Sequence, residues 1–152
     1  MKIYRLEKRQ RLALSKKAAW EFFSKPENLA VLTPPEMKLR FIDQDKSDTY
    51  AGKLIRFRVS PFPGIQSTWV SQIAQLQAPS YFIDIQLSGP YALCYHEHRF
   101  NEIDSGVEIV DLIHYALPLG PLGRLLLRPI VKPKLEKLFE YRKNKLNELF
   151  NN

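Results

Sequence analysis

The sequence predicts an α+β domain, an antiparallel sheet of six to seven strands with one long C-terminal helix covering one face. Three observations predict it. Runs of β-type residues follow one another from Lys53 to Leu117, separated by tight turns, as in an antiparallel meander. Two short helical stretches precede them, directly after a first strand. At the C-terminus Leu135, Leu138, Phe139, Leu146, Leu149 and Phe150 recur at the spacing of one helical face. One long amphipathic helix can cover one face of such a meander.

The elements follow in order. Ile3 to Leu14 reads as a first strand, anchored by Ile3, Leu12 and Leu14. Ser15 is a helix cap for Lys16 to Ser24, because its hydroxyl can accept from an early backbone N–H. Pro26 breaks that helix, Asn28 to Leu32 forms a second, and Thr33-Pro34-Pro35 ends it. Lys38 to Ile42 is a short strand. Lys53 to Val59 alternates, with Leu54, Arg56 and Arg58 on one face and Lys53, Ile55, Phe57 and Val59 on the other. The arginine face is expected to be solvated. Pro61 to Gly64 is a turn, and strands follow at Gln66 to Leu76, Tyr81 to Leu87, Ala92 to Phe100 and Val107 to Leu117. In the last helix Pro129 and Pro133 predict a kink or a broken start near Leu122 to Lys132. Arg142, Lys143 and Lys145 are expected to lie away from its apolar face.

A chain of 152 residues with 45% hydrophobic and 12% aromatic residues can build one real core, and no repeat or linker divides it. Residues 1–152 are therefore expected to form a single domain. The start lacks an apolar signal region, and no run is long enough to span a bilayer. One cysteine, Cys94, excludes an internal disulfide and fits a reducing compartment. A cytoplasmic protein is expected. The net charge of +7 is spread along the chain, without a compact basic cluster interleaved with aromatics, so no nucleic-acid partner is expected. Peripheral contact of the basic C-terminal helix with a membrane or an acidic partner stays open. No phosphate loop or zinc-finger spacing occurs, and no cofactor is expected.

The chemistry concentrates between Phe82 and Pro118. Asp84, Gln86, His96, His98, Asp111 and Tyr115 recur at even spacings within their strands, so several ionisable groups can share one face. A three-residue loop at Gly89-Pro90-Tyr91 would set Asp84 opposite His96. A turn spanning Ile103 to Gly106 would set His98 opposite Asp111 and Cys94 opposite Tyr115. A one-residue slip in either hairpin would undo this. His beside a carboxylate has two readings: a structural or ligand-orienting pair, or a general base with its orienting partner. On the second reading His96, His98, Asp84 and Asp111 are the catalytic candidates. His96-x-His98 with a carboxylate also has metal-ligand spacing, but no further cysteine or histidine cluster supports it, and no metal is expected. Trp69 is read as core or cavity wall, and Tyr115 as a hydroxyl aimed into the pocket or a satisfied core residue. His114, of opposite parity to Asp111, is expected at the surface. Cys94 has no local feature that would make it a thiolate.

The element order, with Trp69, then F-x-D-x-Q-x-x-G-P-Y at Phe82 to Tyr91, H-x-H-x-F at His96 to Phe100 and D-x-x-x-Y-x-L-P at Asp111 to Pro118, resembles the SRPBCC or START-like superfamily. W-x-F-F-S-x-P-x-N-L at Trp20 to Leu29 and L-T-P-P at Leu32 to Pro35 resemble a branch of small bacterial ligand-binding proteins. The resemblance spans nearly the whole chain. It implies a helix-grip fold, with a cavity between the sheet and the C-terminal helix. It implies binding of a small, largely apolar molecule of lipid, polyketide or aromatic type, contacted by Trp69, Asp84, Gln86, Cys94, His96, His98, Asp111 and Tyr115. A few relatives are cyclases or dehydratases, so an enzyme using a His–Asp acid/base pair is the alternative. Cys94 departs from the branch, where an aromatic is usual, and the smaller side chain reshapes the space near His96.

Overall fold

The structure, a computed structural model, describes residues 1–43 and 45–151. Strand β1 (Tyr4–Leu12) leads into helix α1 (Lys16–Phe23). The Ser15 hydroxyl accepts from the Ala18 N–H at 3.1 Å, the cap the sequence predicts. Helix α2 (Asn28–Val31) follows, and a 3-10 turn at Pro35–Met37 leads to the two-residue strand β2 (Arg40–Phe41). Then come β3 (Leu54–Phe62), β4 (Ile65–Gln77), β5 (Tyr81–Ser88), β6 (Leu93–Ile103) and β7 (Gly106–Ala116), and finally α3 (Gly120–Phe150).

All seven strands form one antiparallel sheet, in the order β1-β7-β6-β5-β4-β3-β2. The meander runs β2 to β7, and β1 returns to pair with β7 from Tyr4↔Tyr115 to Leu12↔Val107. Three register shifts interrupt the ladders, between Val59 and Phe62, Val70 and Ser71, and Ile73 and Gln75. Such bulges bend a strand and raise its twist. Pro61, which cannot donate to a ladder, sits within the first of them. The strand therefore continues to Phe62, two residues into the segment read as a turn.

Four features differ from the sequence reading. Helix α3 runs unbroken from Gly120 to Phe150 through Pro129 and Pro133. The carbonyls these prolines leave free belong to Leu125 and Pro129, both exposed, so solvent can take the missing N–H's place. Arg142 does not lie away from the core but is buried on the face of Phe139 and Leu146. Leu149, expected on that face, is 45% exposed. Ile3, expected to anchor β1, is exposed because its parity is opposite to that of Tyr4, Leu6 and Leu12.

The core lies between the inner sheet face and the helices. One cluster joins Leu12, Ile73, Phe82, Phe100, Val107, Ile109 and Leu146, with Trp20, Phe22, Phe23 and Phe150 packed against it. A second joins Ile113, Tyr115, Leu117 and Phe139, with Tyr4, Tyr91, Cys94, Leu127, Val131 and Leu135 around it. Polar ties hold α3 along its length. Lys134 Nζ donates to the Pro61 carbonyl at 2.9 Å, Lys8 meets Glu136 at 2.6 Å, and Gln10 donates to the Lys143 carbonyl at 2.9 Å. Asn151 accepts from the Ala13 N–H at 2.8 Å.

Candidate functional site

Between the two apolar clusters the inner face carries a belt of ionisable side chains. The hairpins place them. Asp84 pairs with His96 across β5 and β6, and His98 pairs with Asp111 across β6 and β7, as does Cys94 with Tyr115. Ile103 and Gly106 are themselves a ladder pair, so the turn between them has only Asp104 and Ser105 at its tip. Gly106, at φ +140, packs so near β1 that a Cβ there would stand 2.2 Å from the Leu12 carbonyl oxygen.

The side chains then bond diagonally. His96 Nε2 lies 2.7 Å from Asp111 Oδ1, and His98 Nε2 lies 2.7 Å from Asp84 Oδ2. The two imidazoles stack, with centroids 3.7 Å apart, and Phe82 stacks on His98 from the other side at 4.2 Å. Ser71 Oγ donates to Asp84 Oδ1 at 3.3 Å. Arg142 Nη2 of α3 lies 3.2 Å from Asp111 Oδ1, and His98 Nδ1 lies 3.3 Å from the same oxygen. Both contacts are ion pairs by distance, but their direction is wrong for a hydrogen bond. His98 Nδ1 and Arg142 Nε and Nη2 are thus buried without a hydrogen-bond partner among the described residues.

The electrostatics follow from this geometry. Burial raises the Asp111 carboxyl, but the Arg142 charge, the hydrogen bond with His96 and the close approach of His98 outweigh it and hold the group well below the usual carboxylate range. Burial also raises Asp84, and its bond with His98 more than reverses that. Burial lowers His98, yet hydrogen bonding and the charges of Asp111 and Asp84 carry it above the ordinary imidazole value. Burial and the charge of His98 lower His96, against the pull of Asp111. The belt thus sets the Asp84 and Asp111 carboxylates against Arg142 and two imidazoles, of which His98 holds its proton the more tightly.

Beside the belt, a crevice of about 300 Å³ opens between β1 and α3, with Gln10, Phe139 and Lys143 in its wall and Asp111 and Arg142 at its inner end. Of the eight residues the sequence reading assigns to a ligand, only Asp111 lines this opening. Trp69 stacks on Phe57 at 5.7 Å and meets Tyr91 edge-on, and Tyr91 in turn meets Tyr115. These rings and the half-buried Cys94 make an aromatic tier next to the belt. Burial pushes the Cys94 thiol up to about 12, so it is no nucleophile. Gln86 spends its amide on the β5–β6 loop, donating to the Tyr91 carbonyl at 2.8 Å and accepting from the Tyr91 N–H at 3.2 Å. His114 faces outward, its ring 6.0 Å from that of Tyr95. Arg56 is exposed and paired with Asp43 at 2.5 Å.

One donor atom from each of Asp84, His96 and His98 falls within 4.8 Å of the others, close enough to share a divalent ion. Both imidazole Nε2 atoms are already bonded to carboxylates, so an ion would compete with two short hydrogen bonds. Arg142 is the member of the belt that the sequence reading missed. Its position was legible: it stands three residues after Phe139 and four before Leu146, on the apolar stripe itself.

No protein-family profile matches the chain. No curated protein matches it either. Solved structures do. The Zhui aromatase/cyclase of Streptomyces sp. R1128 aligns over 95% of this chain and 92% of its own, with TM-score 0.74 and 16% identity. Protein CV1439 of Chromobacterium violaceum aligns over 98% and 99%, with TM-score 0.73 and 10% identity. Ara h 8.0201 aligns over 97% and 99%, with TM-score 0.63 and 11% identity. At such identities the likeness is one of fold. The chain has the helix-grip fold, a seven-stranded antiparallel sheet with two short helices and a long C-terminal helix. This is the architecture of the SRPBCC, START-like proteins that its motifs resemble.

Proposed function

We propose that the protein binds a small, largely apolar molecule on the inner sheet face, under α3. The observation that carries this reading is the belt of paired ionisable groups, Asp84, His96, His98, Asp111 and Arg142, set into an aromatic interior. A core without a ligand role would be cheaper to fill with apolar side chains, since buried ion pairs rarely add net stability. Arg142 and His98 keep buried N–H groups unpartnered, so an oxygen of the ligand has donors to meet. Because Arg142 already faces Asp111, a neutral molecule with a carbonyl or hydroxyl oxygen suits the belt better than an acid. Its apolar part would lie against Trp69, Tyr91 and Tyr115. Tyr91 sits in the β5–β6 loop, its ring edge-on to both Trp69 and Tyr115.

The test is native mass spectrometry of the purified protein, followed by organic extraction of anything released. A stoichiometric apolar molecule, lost in a folded Tyr115→Phe/His96→Ala variant, supports the reading. A protein that neither retains such a molecule nor binds any of a panel of apolar ketones and phenols sinks it.

A second reading has its own observation. His96 and His98 are in contact, and their environments push their proton affinities in opposite directions, the arrangement of an acid/base couple. An enzyme of cyclase, dehydratase or hydrolase type would use them with Asp111 and Asp84. Replacing either histidine by Gln would then abolish turnover and leave ligand affinity within a few fold. Loss of affinity, with no turnover in the wild type, favours binding alone.

A further inference from the structure

Helix α3 has two apolar faces, and only one of them has a partner among the described residues. Leu127, Val131 and Leu135 pack on the cluster around Tyr115. On the other side Leu122, Leu125, Leu126 and Ile130 are 58%, 73%, 55% and 47% exposed. Pro129 and Pro133 are exposed among them. At about 100° per residue these six side chains fall within an arc of about 140°. Leu119, 71% exposed just before the helix, extends the patch. Scattered exposed leucines are ordinary, but a contiguous apolar stripe on one helix is a contact surface.

The charge around the stripe chooses the partner. Arg128 and Lys132, both exposed, border one edge, and Lys134, whose ammonium donates to the Pro61 carbonyl, borders the other. No Asp or Glu occurs from residue 112 to residue 135, and Glu136, which follows, is taken by Lys8. A second copy of the chain would bring these cations against their own kind. An anionic bilayer surface would meet both the cations and the leucines. The helix must lie in the interface rather than cross it, for no helix among the described residues is long and apolar enough to span. The carbonyls of Leu125 and Pro129, left without a helical donor, also need water or headgroups nearby.

We propose that the first half of α3, from Leu119 to Lys134, docks the protein on anionic phospholipid surfaces, with Leu122, Leu125, Leu126 and Ile130 inserted among the acyl chains. This inference does not rest on the ligand reading, and either can fail alone.

Co-flotation with vesicles tests it. The wild-type protein should float with phosphatidylcholine vesicles containing about 30% phosphatidylglycerol and not with phosphatidylcholine alone. Binding should fall at least about ten-fold between about 0.05 M and about 0.5 M salt. Leu122→Ser/Leu126→Ser should weaken it at least about ten-fold while leaving the melting temperature in place, since both side chains are exposed. Lys132→Gln should weaken it roughly five-fold. Failure of the wild type to bind the anionic vesicles at low salt overturns the proposal. So does binding that ignores the leucine replacements. A dimer in sedimentation analysis that the leucine replacements dissolve, without vesicle binding, would make a second copy the occupant and overturn it as well.

Discussion

His96 does not bond to Asp84, the residue facing it across the β5–β6 ladder; its Nε2 reaches Asp111, two residues off on the opposite strand, at 2.7 Å. His98 makes the mirror choice, leaving Asp111 opposite it for Asp84 on β5. Diagonal neighbours on one sheet face are within reach of long side chains. The stacked imidazoles thus lace three strands together, and Arg142 ties the lacing to α3. The belt cannot change on one element without being felt on the other three.

Arg142 is the point where that dependence is simplest to measure. Removing it leaves Asp111 ionised and buried without its strongest opposing charge. Arg142→Met should cost about 3–5 kcal/mol in urea unfolding, the range for breaking a buried pair from one side. Arg142→Met/Asp111→Asn should recover most of that loss, because the stranded charge goes too. A single-variant cost below about 1 kcal/mol would show that Asp111 is held by the histidines alone.

The two imidazoles should titrate apart. Free histidine titrates near 6.5, with His96 below that value here and His98 above it. The sign follows from proton binding in the folded and unfolded chains. His98, raised on folding, adds stability that is complete below about pH 6.5 and lost as pH rises through its native value. His96, lowered on folding, adds stability that is complete above about pH 6.5 and lost as pH falls through its native value. His98→Gln should therefore flatten the alkaline side of the stability profile, and His96→Gln the acid side. Ring resonances followed by NMR report the order of the two steps directly. A single shared step near 6.5, or the reverse order, contradicts the belt as drawn.

Much of this was legible in the residues. Turn signals at Ser88-Gly89-Pro90 and Asp104-Ser105-Gly106 marked both hairpins, and even spacing allowed Asp84, His96, His98 and Asp111 to share a face; the register itself comes from the ladders, since a one-residue slip would fit the same turn signals. Ser15 announced α1 through its hydroxyl. The diagonal bonding was not legible, because ladder register places Cα atoms while ring torsions decide which carboxylate is reached. The charge of Arg142 argues for the surface, but its spacing from Phe139 and Leu146 sets it on the apolar stripe, and in the fold the stripe wins. Lys53 was set on the face of Phe57 and Val59, but its near-complete burial could not be foreseen. Its ammonium donates to the Ser47 carbonyl at 2.5 Å, a contact made by a loop with no local pattern. The unbroken α3 escaped notice because proline's cost depends on whether the freed carbonyls face water, a property of packing.

Gly106 tests the hairpin that carries Asp111. Its φ of +140 disfavours any side chain, and a Cβ would meet the Leu12 carbonyl oxygen, which belongs to backbone and cannot swing away. Gly106→Ala should cost at least about 2 kcal/mol, combining strain with a forced shift of β1. Gly64→Ala, at φ +78 but with no atom near the added methyl, should cost only the conformational part, about 1 kcal/mol. Equal losses at the two sites, read from melting temperatures, would refute the close approach of β1 to β7 at this turn.

The orientation of α3 about its own axis decides whether Arg142 belongs to the belt at all, and two leucines three residues apart report it. Leu146 is 1% exposed in the cluster with Phe82 and Phe100, whereas Leu149 is 45% exposed. Leu146→Ala should cost about 2–5 kcal/mol, the transfer loss plus the cavity left among rigid aromatic rings. Leu149→Ala should stay within about 0.5 kcal/mol. The sequence alone puts both on one apolar face, so the pair separates the packing from the pattern. If Leu149 proved the costly position, the helix would be turned by most of a right angle, Arg142 would leave Asp111, and the belt would lose the cation that holds its deepest carboxylate ionised.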